Sequence, residues 1–504
     1  MKSSIYLLGM ACLITACSKF DEINSNPDAT EKVTSAMLAT KLILDVAKSS
    51  SGKSFAIPNV LTKHLVWGEN GDAYQYNSFD RTTMDYSILT NVQKMVDVAG
   101  DDEKNAYKGL GLFIKAYKLF YMSLDVGDIP YSEALQGEQG LTTPKYDTQK
   151  EVMTQVLADL ESADNAFMQS GDFSGDPIFG GKSDLWRRTT NAFRLKVLLH
   201  LSNKESDGDL SIKDKFKQVI SEGFLLQDNS ENFQLKYSEK ENQYYPFNKT
   251  IHKFTEYPMI TGFLIDSLKK FNDYRLFYYA NPSAYQINTA GKSASDYDAY
   301  LGVDLTAVFS DLKALWTADK FCLLNLRYTD YIIGEPLVRI GYAEQNFMIA
   351  EAIVRGWIDG DAKSYYDKGI EAAMQFVANN TPDEEVYHHN RKITSDYIST
   401  YLNGSYVRFA NNATTQIHQI QQQKYFMRFM QNPYEAYYEY RRTGYPNWPV
   451  DPATNLNEVK DKIPVRWMYP LNEYTRNGDN VNEAVQRQYN GQDTPNELMW
   501  ILTK

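Results

Sequence analysis

The sequence predicts an all-α fold, a scaffold of tetratricopeptide-type helix pairs that carries one large irregular insertion. Three observations predict it. The stretch from Phe113 to Leu135 reads as a long helix followed by an abrupt turn, residues 342–378 read as a helix pair with a short connection, and residues 229–335 lose helical periodicity. A chain of 504 residues is long enough for a large helical core.

The first unit is the clearest. Leu110, Phe113, Ile114, Tyr117, Tyr121 and Leu124 recur at spacings of three and four, one continuous apolar face. Gly127 can take the left-handed conformation that closes a helix, and Pro130 cannot continue one. Ser132 then offers an N-cap, with Glu133 in the first turn, for a short following segment. Upstream, helices are expected over residues 34–48, from about Asn59 to Val66, and from Tyr86 to Val98. Downstream, Asp147 is the expected N-cap of a helix over 147–167 with Glu151 in its first turn, and Asp184 caps a helix that carries Trp186, Phe193 and Leu198.

Residues 229–335 are rich in Tyr, Asn and Ser, hold Pro246, Pro258 and Pro282, and read as short helices and loops. Periodicity returns with Ala343, Phe347, Ala350, Val354 and Trp357, a turn at Gly360 and Asp361, and a second helix over 362–378. Ala343 and Phe347, like Ala116 and Phe120, fit the small–large pattern of a tetratricopeptide unit. Helices over about 411–431 and 433–441 follow, and residues 445–504 read as loops laid over the scaffold.

The N-terminus addresses the compartment. Lys2 precedes the short apolar run Ile5 to Ile14, which is too short to span a bilayer. Ile14-Thr15-Ala16-Cys17 places a small residue before Cys, as in a bacterial lipobox. Residues 1–16 are then a signal peptide, Cys17 the lipidated residue, 17–33 a tether and 34–504 one domain. With Cys12 removed and Cys17 acylated, Cys322 is left without a disulfide partner, and its apolar surroundings mark a buried thiol.

Charge and motifs exclude several functions. The formal net charge is −12, which opposes a nucleic-acid footprint. None of the six His belongs to HExxH or a spaced metal set, and GxSxG, P-loop and GxGxxG motifs are absent. His388-His389 reads as part of a solvated loop near Asp383, Glu384 and Glu385. Glu344 and Glu351 lie seven residues apart on a repeat helix, a spacing suited to inter-helix hydrogen bonds rather than paired acid catalysis. Arg441 and Arg442 beside Glu439 read as buried pairing groups, and Asp128 as an anchor of the turn. No enzyme activity, cofactor or metal is expected.

Aromatic residues point to binding. The chain holds 37 Tyr, 24 Phe and 7 Trp, and Tyr joins an apolar ring to a polar tip. The leading ligand-contact residues are Trp67, Asn70, Asp72, Tyr74 and Tyr76, from the loop 64–77. A sugar presents an apolar C–H face to a ring and its hydroxyl edge to amides and carboxylates. A peptide could use the same groups, and Trp67 and Tyr76 could instead pack the loop onto the helices. Tyr244, Tyr245, Tyr285 and Trp316 are further candidates.

Six stretches in order resemble the SusD/RagB family of nutrient-binding outer-membrane lipoproteins. They are GDIPYSEAL (127–135), TPKYDTQKEVMTQVLADLESA (143–163), LWRRTTNAFRLKVLLHLS (185–202), YAEQNFMIAEAIVRG (342–356), QKYFMRFMQNPYEAYYEYRRTGYP (423–446) and IPVRWMYPLNEYTRN (463–477). Ala192 and Phe193 are variants, and Tyr438 stands where Trp is usual. The RRTGYP ending resembles the SusD-like family 2 subgroup. The resemblance implies about four tetratricopeptide-type helix pairs, a loop-rich ligand face and no chemistry. It implies capture of a glycan, or alternatively a peptide, and delivery to a SusC-like TonB-dependent barrel transporter that the lipoprotein covers as a lid. An adaptor lipoprotein that binds only protein is a further alternative. Surface-exposed members carry acidic residues after the lipidated Cys; here the stretch is Ser18-Lys19-Phe20-Asp21-Glu22, which Lys19 makes less acidic.

Overall fold

Glycines at positive φ close three of the scaffold helices, at Gly127, Gly223 and Gly444. The computed structural model describes residues 33–67, 73–250 and 258–504; the signal peptide, Cys17, the tether, Asn70 and Asp72 lie outside them. Helix Lys104–Val126 buries Leu110, Phe113, Ile114, Tyr117 and Leu124 and stops at Gly127, whose φ is +96°. A side chain at that φ is strained, and a Cβ there would also collide with Gln488 and Tyr489. The partner helix is Gln149–Met168.

The scaffold consists of four sequential helix pairs. These are Lys104–Val126 with Gln149–Met168, Ser183–His200 with Ile212–Glu222, Tyr342–Val354 with Ala362–Asn379, and Ala413–Met427 with Tyr434–Thr443. The third pair approaches closely because Gly369 sits against the Phe347 ring, where a Cβ would clash. Helix Ser35–Ala47 packs against the first pair. One contiguous apolar core runs through all four pairs, and a small second cluster gathers Val66, Met259, Leu312 and Phe321.

Strand content is slight and joins distant segments. Leu65–Val66 pairs antiparallel with Met259–Ile260, and Phe233–Leu235 pairs antiparallel with Leu337–Ile340. The first pairing corrects the helix expected from about Asn59 to Val66. The helix is instead Lys53–Leu61, Lys63 turns left-handed at φ +61°, and the chain continues as a strand. The strand depends on a partner about 195 residues away, so no local periodicity announces it.

Other expectations shift for similar reasons. No helix follows Ser132. Its hydroxyl donates to Asp147 at 2.6 Å, and the Tyr131 and Ser132 N–H groups donate to the same carboxylate at 2.8 Å. Asp147 therefore braces the turn, and Thr148 caps the next helix in a capping box with Glu151. Asp184 lies in a first turn that begins at Ser183 rather than at the cap. Residues 445–504 contain helices Leu471–Arg476 and Gly478–Tyr489 as well as loops. His388 and His389 are buried rather than solvated: the first meets Asp383 at 3.0 Å, and the second lies by Asn325. Cys322 is buried, as its apolar run predicts. Asp128 anchors the turn by accepting from the Gln149 N–H at 2.8 Å and pairing with Arg487. Among the described residues, no helix is long and apolar enough to cross a membrane.

Candidate ligand-binding site

Two tyrosine pairs, each spaced four residues apart, meet across the molecule. Tyr117 and Tyr121 lie one turn apart on helix Lys104–Val126, and Tyr434 and Tyr438 one turn apart on helix Tyr434–Thr443. Tyr121 and Tyr438 touch, with ring centres 5.9 Å apart. Tyr117 lies 4.8 Å from Tyr121, and Tyr434 6.5 Å from Tyr438. Trp467 extends the line at 6.1 Å from Tyr434, and Tyr74 ends it at 6.3 Å from Trp467. Every step falls in the range of favourable ring contacts, about 4.5–7 Å. Six rings thus run in an unbroken chain along a cleft of about 540 Å³, a size suited to a small ligand; Tyr74, Tyr121 and Tyr434 are half-buried, whereas Tyr117, Tyr438 and Trp467 are buried behind them.

Backbone and side-chain hydrogen bonds hold this arc in place. The Trp467 N–H donates to the Asp125 carbonyl at 3.0 Å, and its indole N–H donates to the Tyr74 hydroxyl at 2.9 Å. The Tyr438 hydroxyl donates to the Asp125 carboxylate at 2.8 Å. Burial pushes the Asp125 pKa up to about 6, against the opposing pull of the Tyr438 hydrogen bond and Arg441. The Arg441 guanidinium lies 4.8 Å from the centres of both the Tyr437 and Tyr438 rings. The rim carries Asp45, Lys48, Arg81, Asp85, Lys118 and Arg339.

Behind the arc lies a buried charge network. The Tyr121 hydroxyl donates to Glu435, which also meets Lys196 at 3.2 Å and His200 at 3.6 Å. Lys196 meets Glu344 at 3.0 Å, and Glu344 pairs with Arg428. Burial alone would raise the Glu435 pKa, but Lys196, His200 and Arg428 hold it well below the usual carboxylate range. Two turns on, Arg442 grips Glu351 at 2.6 and 2.8 Å and also pairs with Glu439. Glu344 and Glu351 therefore link helices, in keeping with their spacing, and Arg442 is a buried pairing group. Arg441 instead reaches the Val465 carbonyl at 2.6 Å.

The residues expected to touch ligand are divided by the fold. Tyr74 lines the cleft. Trp67 is only 1% exposed, with the Lys53 ammonium 5.0 Å from its ring centre and its N–H donating to the Gln75 amide oxygen at 2.9 Å. It takes the packing role weighed above and offers no open face. The Tyr76 hydroxyl donates to the Ala307 carbonyl at 3.0 Å, away from the cleft. Tyr245 is 1% exposed, while Tyr244, Tyr285 and Trp316 are half-buried outside the cleft. Tyr117, Tyr121, Tyr434, Tyr438 and Trp467 escaped notice because helical spacing and family motifs marked them as scaffold. The available signal was tyrosine, with its polar tip, at i and i+4 on otherwise apolar helix faces. Among the described residues, no group of three or more His, Cys, Asp or Glu is placed to hold a metal ion.

Comparison with known proteins gives this geometry its context. A search of curated proteins finds no match. The solved structure of a SusD homologue from Bacteroides fragilis is 50% identical, covers 94% of this chain and 100% of its own, and superposes with a TM-score of 0.91. A Bacteroides vulgatus protein, described as a candidate outer-membrane nutrient-binding protein, is 31% identical over 94% of this chain and 100% of its own, with a TM-score of 0.85. A chitin-binding SusD homologue from Flavobacterium johnsoniae shares the fold at 18% identity, a TM-score of 0.72, and coverage of 93% and 99%. None of these descriptions names an enzyme. The SusD-like family 2 model, described as starch-binding and associating with the outer membrane, matches residues 27–470, and the chain is therefore a member of the SusD-like family.

Proposed function

We propose that this protein captures an oligosaccharide in the aromatic cleft at the outer membrane and passes it to a SusC-like TonB-dependent barrel transporter. The observation that carries the reading is the unbroken line of six rings from Tyr117 to Tyr74 in one cleft. Sugar rings stack on aromatic faces such as those of the half-buried Tyr74, Tyr121 and Tyr434, while polar side chains at the rim take the sugar hydroxyls. Lipid on Cys17 supplies the anchor, and the helical scaffold serves as the lid that closes ligand against the barrel. No covalent step is needed; capture and hand-over suffice.

A glycan array probed with the soluble chain lacking residues 1–17, followed by calorimetry on each hit, tests the binding claim. Tyr434→Ala is expected to weaken binding about tenfold, the loss of roughly 1.4 kcal/mol of stacking and burial. Unchanged affinity would move the site away from this cleft. Binding of peptides rather than glycans at the same rings would favour the peptide-binding alternative. Pull-down of the lipidated protein from solubilised outer membranes tests the partner; recovery without a barrel transporter would leave the adaptor reading in its place.

A further inference from the structure

The cleft's charges are unevenly matched. Its acids have partners: Asp45 pairs with Lys41 at 3.1 Å, Asp85 accepts from the Ser87 N–H at 2.9 Å, and Asp125 accepts from Tyr438. Arg81 is tied to Asp493 at 2.9 Å. Lys48, Lys118 and Arg339 have no carboxylate within ion-pair distance among the described residues. Lys118 is felt only weakly by Asp85, which is held first by Ser87. In a chain of net charge −12, the cations left free here stand beside the aromatic arc.

Arg339 is the telling member. Lys48 is exposed and satisfied by water, whereas Lys118 and Arg339 are half-buried, and the Arg339 head is held in place on strand Leu337–Ile340. Its Nε donates to the Ala47 carbonyl at 3.2 Å and one Nη to the Lys48 carbonyl. These carbonyls close helix Ser35–Ala47, where the dipole favours a cation. The other Nη donates to no described residue. A guanidinium fixed in this way suits an oxyanion, and its planar fork matches carboxylate or sulfate. Neutral sugar hydroxyls have no need of three unpaired cations.

We propose that the cleft takes an acidic oligosaccharide, whose sugar rings carry carboxylate or sulfate groups, with Arg339 binding the oxyanion and Lys118 and Lys48 flanking it. The inference rests on the reading of this cleft as a glycan site. It assigns the rings to the sugar faces and the cationic edge to the acidic substituent.

The test pairs each acidic probe with its neutralised counterpart. Oligogalacturonate, alginate and hyaluronan fragments are measured beside their carboxyl-reduced forms, chondroitin sulfate fragments beside desulfated ones, and chito-, cello- and malto-oligosaccharides serve as neutral controls. At least one acidic probe is expected to bind about tenfold or more tightly than its neutralised form, the scale of one charge-assisted hydrogen bond. Arg339→Gln should abolish that ratio, and Arg339→Lys should restore part of it. Lys118→Gln should lower it without breaking the backbone hydrogen bonds that an Arg339 change would lose. Carboxyl reduction and desulfation tell the two acidic groups apart. Neutral glycans binding while acidic ones do not would overturn the inference and leave the glycan site standing. A ratio unchanged in both Arg339→Gln and Lys118→Gln would likewise overturn it. Failure of every glycan to bind would remove both readings.

Discussion

The buried network behind the aromatic arc and the rim in front of it are built from the same residue types to opposite ends. In the network, Lys196, Arg428 and Arg442 each face carboxylates of Glu344, Glu435, Glu351 or Glu439 at hydrogen-bonding range. At the rim, Lys48, Lys118 and Arg339 face none among the described residues. A buried charge must be paired to be tolerated, whereas a charge at an open cleft can wait for a ligand. Most of the network residues fall within the family-like motif stretches, while Lys48 and Arg339 fall outside them. The motifs thus hold the buried network and three of the six arc rings, Tyr434, Tyr438 and Trp467, whereas the unpaired cations of the rim lie outside them.

Breaking the network should have the largest effect. Arg442→Ala removes the guanidinium that joins Glu351 and Glu439, leaving the first with Arg355 and the second with Lys424, and is expected to cost about 3 kcal/mol of stability, measured by urea unfolding. A loss below about 1 kcal/mol would erase the distinction between the two regions. Their joint burial also sets an acid dependence. Arg442 and Lys424 hold the Glu439 carboxyl far below its ordinary range despite burial. A depressed folded-state pKa gives stability that is full above the unfolded carboxylate pKa and lost as pH falls through the folded value. The wild-type advantage over Arg442→Ala should therefore shrink as the medium is acidified below about pH 4.

Changing the arc should separate binding from folding. Tyr434→Ala is expected to weaken glycan binding about tenfold while moving the unfolding midpoint far less than Arg442→Ala does. Equal damage to both would make Tyr434 part of the scaffold instead.

Asp125 sits between the two regions, and its dependence on pH has the opposite sign. Its folded pKa, about 6, exceeds the ordinary carboxylate value. Stability from its neutral form is complete below the unfolded pKa and is lost as pH rises through about 6. Asp125→Asn should then stabilise the protein by about 1 kcal/mol at pH 8 and have little effect near pH 4, as read from paired thermal melts. Stabilisation that did not vary with pH would point to packing instead of charge. At the rim, Lys118→Gln should change stability by less than about 0.5 kcal/mol; a larger loss would mean that this cation is structural.

Much of the scaffold was legible locally, and the cleft was not. The face of helix Lys104–Val126, its stop at Gly127 and the turn at Gly360 and Asp361 could be read from spacing and residue type. Misreadings cluster where a remote partner intervenes: Leu65–Val66 became a strand through Met259–Ile260, and Asp147 was drawn to the turn at Tyr131 and Ser132. The loop around Trp67 drew attention because its aromatics stand among polar residues, yet the same ring, once covered by the fold, is core.

Periodicity, caps and turn chemistry act within a few residues, so the helical scaffold and, through six ordered motifs, the family resemblance are legible in the chain alone. Which tyrosines line the cleft is set in three dimensions. Tyr121 and Tyr438 stand 317 positions apart in the chain yet lie 5.9 Å apart in space. A tyrosine on an apolar helix face suits the core and a cleft equally well, since its ring is apolar and its hydroxyl polar. What lies opposite that face depends on contacts between distant segments, and helical periodicity carries no record of them.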